Sequence, residues 1–154
     1  MGHSGRLLGM QTKSRIARKL PVTADSAWSV LRGFGELEVW FPIIASCRVE
    51  GDGIGAKRFM ELEGGLGSLV DELIALDEEA RRLSYRRTEF PVPLSSYIGT
   101  VEVFTSYDGL AVVSWTVDFE SAEDVASSVN ELLVDAIGAG VDGLGAHLAG
   151  GSGP

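Results

Sequence analysis

The stretch AEDVASSVNELLVDAIGAGVDGLGAHLA, residues 122–149, sets the fold class of this chain of 154 residues. Its apolar side chains recur mostly at steps of three and four, which is the spacing of one stripe along a helix. The stripe consists of Val125, Val129, Leu132, Leu133, Ala136, Ile137, Val141, Leu144 and Leu148. We therefore expect one long C-terminal helix that packs a single face on the rest of the domain.

Four glycines, Gly138, Gly140, Gly143 and Gly145, lie inside this predicted helix. Each costs about 1 kcal/mol relative to alanine in a helix interior, so a compensating feature is expected. Either the sheet approaches the helix closely there, or the missing side chains enlarge a cavity. A kink or a frayed turn would be compatible with both.

Upstream of the helix, the apolar pattern changes to the alternation that is typical of strands. Gly, Asp and Pro turn residues separate the segments, and the short connections indicate consecutive antiparallel hairpins. The predicted strands cover residues 14–20, 46–51, 56–63, 68–76, 82–89, 97–106 and 110–120, with two short helices, 24–32 and 36–40, after the first strand. This order predicts an α+β domain in which a curved seven-stranded antiparallel sheet wraps around the long helix.

The pattern gives a single domain over residues 14–149. Residues 1–13 are expected to be a vector-derived remnant or a disordered arm, and residues 150–154 a flexible tail. The one cysteine, Cys47, excludes an intrachain disulfide. Without a recognisable signal segment, we expect a cytoplasmic protein, either monomer or homodimer.

Charge and composition limit the classes of partner that this chain is expected to bind. The formal net charge of -9 argues against nucleic acid, whose binding depends on Lys and Arg. A small basic cluster, Lys13, Arg15, Arg18 and Lys19, is expected to be a solvated strand face. No apolar run approaches the roughly 20 residues of a membrane helix, so no stable membrane insertion is expected. No grouping of His and Cys suits a metal, and no cofactor is predicted.

Several short motifs resemble, in order, those of bacterial polyketide cyclase/dehydrase proteins of the START/birch-pollen-allergen-like (SRPBCC) superfamily. They are PVTADSAW at 21–28, WFP at 40–42, GIGAKR at 53–58, DELIALD at 71–77, Tyr85, PVP at 91–93 with Tyr97, and VSW at 113–115 with Phe119. The resemblance implies a helix-grip fold with a deep cavity between the sheet and the C-terminal helix. It also implies a small hydrophobic or polyketide-like ligand.

Strand alternation and this resemblance together select the candidate ligand-binding residues. Alternation places Tyr97, Trp115 and Val117 on the concave face, because their strand neighbours are polar. The resemblance places Arg58, Asp71, Tyr85 and Arg87 on the same face, although Arg87 could instead extend its head group to the surface. The full set of candidate ligand contacts is Trp40, Met60, Leu69, Tyr85, Arg87, Trp115, Val117, Leu132, Ala136 and Gly140. Either Trp40 or its neighbour Phe41 is expected to close one end of the cavity.

Arg58, Asp71 and Tyr97 are the candidate catalytic residues. Arg58 and Asp71 could form a structural ion pair, or Arg58 could bind a ligand oxygen while Asp71 orients it. Tyr85 and Tyr97 could be core residues or proton carriers. Two functions follow from these alternatives. One is a polyketide cyclase or dehydratase, and the other is a non-catalytic carrier or sensor of lipids or hydrophobic metabolites.

Overall fold

The structure, a computed structural model, describes residues 9–151. The remnant or arm expected over residues 1–8 and the tail expected over 152–154 lie outside the described residues. The strands are β1 (Met10–Thr23), β2 (Ile44–Glu50), β3 (Lys57–Leu62), β4 (Ser68–Asp77), β5 (Arg82–Glu89), β6 (Leu94–Thr105) and β7 (Leu110–Ser121).

These strands form one curved antiparallel sheet in the order β1-β7-β6-β5-β4-β3-β2. Consecutive strands from β2 to β7 are neighbours, as the short connections predict, and β1 closes the order by pairing with β7. β1 begins at Met10, which pairs with Ser121, so the predicted start at residue 14 is wrong. Residues 10–13 are part of the sheet rather than an arm because β7 is long enough to pair with them.

Helix α1 (Ala24–Leu31) follows β1 directly. The Thr23 hydroxyl accepts a hydrogen bond from the Ser26 backbone N–H at 3.2 Å and caps the helix. The indole N–H of Trp28 donates to Glu78 at 2.9 Å, which ties the helix to the turn after β4. The second predicted helix, 36–40, is only a 3-10 turn, Leu37–Val39. The left-handed backbone of Glu36 immediately before it leaves no room for a longer helix.

Helix α2 (Glu123–Gly151) confirms the predicted long C-terminal helix and completes the helix-grip architecture. It packs mainly against β1, and its buried stripe consists of Val129, Leu133, Ile137, Val141 and Leu144. The flexible tail expected from residue 150 is wrong for 150 and 151, which continue the helix. By length and composition α2 could also cross a membrane, since an 18-residue window of it has a mean hydropathy of 1.3 and 39% of that window is buried in the domain.

The side chains of the basic cluster on β1 form ion pairs and a hydrogen bond with residues of β7, of the turn before it and of α2. Lys13, Lys19 and Arg18 form ion pairs with Asp118, Asp108 and Asp142, and Arg15 donates to Ser114. Cations that are already paired contribute less to binding a phosphate backbone. This arrangement supports the expectation of a solvated strand face.

Candidate functional site

A cavity of about 380 Å³ lies between the concave face of the sheet and α2. Nine of the predicted residues line it: Arg58, Met60, Leu69, Tyr85, Arg87, Tyr97, Trp115, Leu132 and Ala136. Leu132 is 52% exposed, so the cavity opens to solvent beside the middle of α2. Its size is at the lower end of the range for small-molecule sites, which suits a compact ligand.

Asp71 and two arginines form the polar end of the site. Arg58 pairs with Asp71 across β3 and β4, and Arg87 pairs with it across β4 and β5. The Arg58 Nε donates to Asp71 Oδ2 at 2.8 Å, while Arg87 Nε and Nη2 donate to Oδ1 and Oδ2 at 2.7 and 3.1 Å. Arg87 therefore points inward, and the alternative in which its head group reaches the surface is wrong.

Asp71 does not line the cavity, because both of its oxygens face the arginines and its side chain is fully enclosed. Burial alone would raise the pKa of Asp71, but Arg87 and Arg58 outweigh it and hold that pKa below its usual range. The carboxylate consequently stays ionised and fixes both guanidiniums. It holds both arginines in place and presents no oxygen to the cavity, while its predicted catalytic role stays a prediction.

Phe34 holds Arg58 from the other side. Its backbone carbonyl accepts a hydrogen bond from Arg58 Nη1 at 3.3 Å, and its ring lies 4.2 Å from the guanidinium carbon. Phe34 adopts a left-handed φ of 66°, which is costly for a bulky side chain and is found mainly where other contacts enforce it. The sequence gives no periodic signal for a loop residue in this role.

A chain of three aromatic groups lines the cavity beside the arginines. The Trp115 indole N–H donates to the Tyr85 hydroxyl at 3.0 Å, and this hydroxyl lies 3.4 Å from that of Tyr97. Because Tyr85 already accepts from Trp115, it can donate its own proton to Tyr97 and leave the Tyr97 proton for a ligand. Burial raises the pKa of Tyr97 well above its ordinary value, so the group is a neutral phenol at physiological pH.

Gly99 makes room for Tyr85. The two residues are paired across β5 and β6, and a Cβ at position 99 would overlap the Tyr85 ring. The ring therefore lies over the glycine on the floor of the cavity. Glycine in the middle of a strand is a signal of such a close approach.

Three predicted ligand contacts do not line the cavity: Trp40, Val117 and Gly140. Trp40 turns to a separate hollow beside Cys47, and its neighbour Phe41 lines the cavity instead. Val117 is fully covered by core packing. The Phe41 ring occupies the space that a Cβ at Gly140 would need.

The helix glycines thus serve a close approach, to the loop after α1 at Gly140 and Gly143 and to the sheet, as the first alternative predicts, at Gly145. A Cβ at Gly143 would overlap the Trp40 carbonyl oxygen, and one at Gly140 would overlap the Phe41 ring. Gly145 approaches Leu20 of β1, with a Cβ distance of 3.0 Å. The alternative in which these glycines enlarge the cavity is wrong for Gly140, whose space Phe41 fills.

Apart from Phe41, which was the alternative to Trp40, the sequence interpretation missed the loop residues of the site. The segments around the 3-10 turn and between β5 and β6 contribute apolar side chains, which include Leu37, Phe41, Ile43, Phe90, Val92 and Leu94. Loops carry no period, and the only signals were the WFP motif at 40–42 and the PVP motif at 91–93. Within residues 9–151, no three His, Cys, Asp or Glu side chains are grouped to hold a metal ion, and the absence of a cofactor stays a prediction.

Comparison with known proteins places this geometry in a family. The family model described as "Polyketide cyclase / dehydrase and lipid transport" matches residues 11–149. The chain belongs to this family. The resemblance inferred from the sequence motifs is thereby confirmed.

One sequence relative and two solved structures illustrate how widely this fold is used. Abscisic acid receptor PYL10 of Arabidopsis thaliana is 27% identical over 125 residues, which cover 75% of this chain and 68% of the receptor. The Zhui aromatase/cyclase of Streptomyces sp. R1128 superimposes with a TM-score of 0.80 at 14% identity, covering 92% of this chain and 95% of the other. Norcoclaurine synthase of Thalictrum flavum, in complex with dopamine and hydroxybenzaldehyde, superimposes with a TM-score of 0.78 at 17% identity. The match covers 97% of this chain and 92% of the synthase. At these identities the structural matches establish the fold alone.

Proposed function

We propose that the protein binds a small hydrophobic ligand in the cavity between the sheet and α2. The observation that carries this proposal is an apolar cavity of about 380 Å³ with a few convergent polar groups, Arg58, Arg87 and Tyr97, along its wall. Such a composition is typical of small-molecule sites. The abscisic acid receptor among its relatives supports the same role.

We further propose that the ligand is a substrate and that the protein acts as a polyketide cyclase or dehydratase. The cavity would hold a flexible chain folded, which lowers the entropic part of the barrier. Arg58 would stabilise an enolate or alkoxide oxygen. Tyr97, a neutral phenol, would hydrogen-bond or protonate an oxygen of the substrate when its hydroxyl accepts from Tyr85 rather than donating to it.

A non-catalytic carrier or sensor of lipids or hydrophobic metabolites is the second candidate. Of the described residues, none of those that line the cavity is a histidine, and Asp71 is held by two arginines. The one carboxylate among the described residues of the lining, Asp135, is exposed to solvent on α2 rather than enclosed beside the arginines and tyrosines, which favours binding without turnover.

Two experiments separate these functions. Native mass spectrometry after incubation with a panel of hydrophobic metabolites tests binding, and we expect one bound molecule per chain. Turnover of a poly-β-keto mimic tests catalysis, and we expect Tyr97→Phe to lower the rate about 100-fold, the scale of a lost general acid. Tyr107→Phe is the matched control, because Tyr107 is 99% exposed and should react as wild type does.

The results of the binding and turnover experiments distinguish the enzyme from the carrier or sensor. Equal background rates in wild type and Tyr97→Phe, together with retained binding, would favour the carrier or sensor. Failure of every metabolite to bind would overturn the cavity proposal itself.

A further inference from the structure

The polar end of the cavity carries more positive than negative charge. Arg58, Arg87 and Asp71 have side chains that are 4%, 12% and 0% exposed, so two guanidiniums share one carboxylate away from water. The sum is one uncompensated positive charge. The rings of Phe34, Tyr85 and Tyr97 lie against the two guanidiniums and offset part of the solvation that they lose. These rings carry no negative charge, so the excess charge still lacks a counterion, which is costly for a buried group.

No other described group neutralises this excess. The ion pairs of Arg58 and Arg87 within residues 9–151 both go to Asp71. The Phe34 carbonyl contributes a dipole but no charge. Tyr97 stays protonated, and Asp135, the one acidic residue among the described residues of the lining, is exposed to solvent on α2.

Both arginines also have N–H groups that no acceptor in the described chain uses. Each guanidinium has five N–H groups. Arg58 uses its Nε and Nη1, and Arg87 uses its Nε and Nη2, for acceptors within the described chain. Arg58 Nη2 and Arg87 Nη1 donate to no acceptor in residues 9–151. Since both residues line the cavity, these two nitrogens, which have all of their N–H groups unused, are the best donors for a ligand.

We propose that the ligand is a singly charged anion, with an apolar body in the cavity and an acidic oxygen group bound by Arg58 Nη2 and Arg87 Nη1. This inference rests on the proposed function and specifies its ligand class. One negative charge on the ligand, together with that of Asp71, would neutralise the two guanidiniums. A neutral ligand would leave the excess charge, and a dianion would reverse its sign.

A pair of fluorescent probes that differ in charge tests the proposal. 1-Anilinonaphthalene-8-sulfonate is an apolar monoanion, and N-phenyl-1-naphthylamine is its uncharged counterpart. We expect wild type to bind the monoanion about tenfold or more tightly, because hydrogen bonds to charged groups are the strong ones. Displacement of the neutral probe by the anionic one, at one site per chain, shows that they share the cavity.

Arg87→Met removes the excess charge while keeping an apolar stem, and it should abolish the preference for the anion but retain the neutral probe. The matched control is Arg86→Met on the same strand, since Arg86 is 53% exposed and its ion-pair distance to Glu72 is 3.9 Å. Near-ultraviolet circular dichroism verifies that each variant is folded, and the wild-type comparison remains decisive if one is not.

Two results would overturn this inference while leaving the proposed function intact. One is equal affinity of wild type for both probes, and the other is an undiminished anion preference in folded Arg87→Met. If neither probe nor any metabolite bound, the proposed function would fall and this inference with it.

Discussion

Asp71 is the residue on which the site depends most. Its two oxygens accept three hydrogen bonds from Arg58 and Arg87 at 2.7–3.1 Å, and the side chain has no exposed surface. Replacing one partner of a buried ionic group is expensive because the other charges lose their compensation. Asp71 therefore links the stability of the domain to the geometry of the cavity.

Asp71→Asn should lower the free energy of unfolding at pH 7 by about 3–5 kcal/mol. The depressed pKa of Asp71 in the folded protein means that its contribution is complete above the ordinary carboxyl pKa of about 4 and is lost as the pH falls below it. Urea unfolding at pH 7, 4 and 3 should show a shallower acid loss in Asp71→Asn than in wild type.

The control for this prediction is Asp118→Asn, which removes an exposed partner of Lys13 and should cost less than about 1 kcal/mol. An unchanged acid loss in Asp71→Asn would contradict the role assigned to the buried carboxylate.

For individual residues of the site, the sequence predicted those on strands well and those in loops poorly. Alternation and motif order placed Arg58, Tyr85 and Tyr97 correctly, because a strand fixes which face each side chain occupies. They could not choose between Trp40 and Phe41, since a single 3-10 turn has no repeating face. They also gave no sign of Phe34, whose contact depends on a left-handed backbone.

Among the elements, α2 shows how glycines can fit a long helix to its neighbours. The sequence predicted the helix and its apolar stripe because the period extends over eight turns. It left the purpose of the glycines open because their partners, Trp40 and Phe41, lie about a hundred residues away. The register shifts of β4 against β5, between Val70 and Asp71 and between Leu73 and Ala75, were likewise not predictable from alternation.

Gly138→Ala and Gly140→Ala should have opposite effects on stability. At position 138 a Cβ would meet only the flexible end of Arg18, at 3.1 Å, so alanine should gain up to about 1 kcal/mol of helix propensity. At position 140 it would overlap the Phe41 ring and should cost about 1–3 kcal/mol. Urea midpoints measure both, and equal shifts would contradict the assignment of Gly140 to close packing.

For the whole molecule, the cavity makes stability dependent on the ligand. A ligand at 100 times its Kd adds about 2.7 kcal/mol to the free energy of unfolding. For a domain of this size, that amounts to a rise of about 5–11 °C in Tm. Thermal unfolding with saturating N-phenyl-1-naphthylamine should show this shift.

The control is Ala136→Trp, which places a large side chain at a position that lines the cavity. This variant should lose most of the shift because the probe no longer fits. A shift of the same size in Ala136→Trp would mean that the probe binds elsewhere on the protein.

The pairing of β1 with β7 also has a consequence for synthesis. Met10 lies opposite Ser121, and Thr23 lies opposite Leu110, so the first strand to leave the ribosome has its partner among the last to be translated. Contacts that distant are slow to form, and an unpaired strand edge is prone to aggregate. The nascent β1 must therefore remain unpaired while the hairpins from β2 to β6 form. We expect chaperones that bind extended segments to act mainly on β1 during this period.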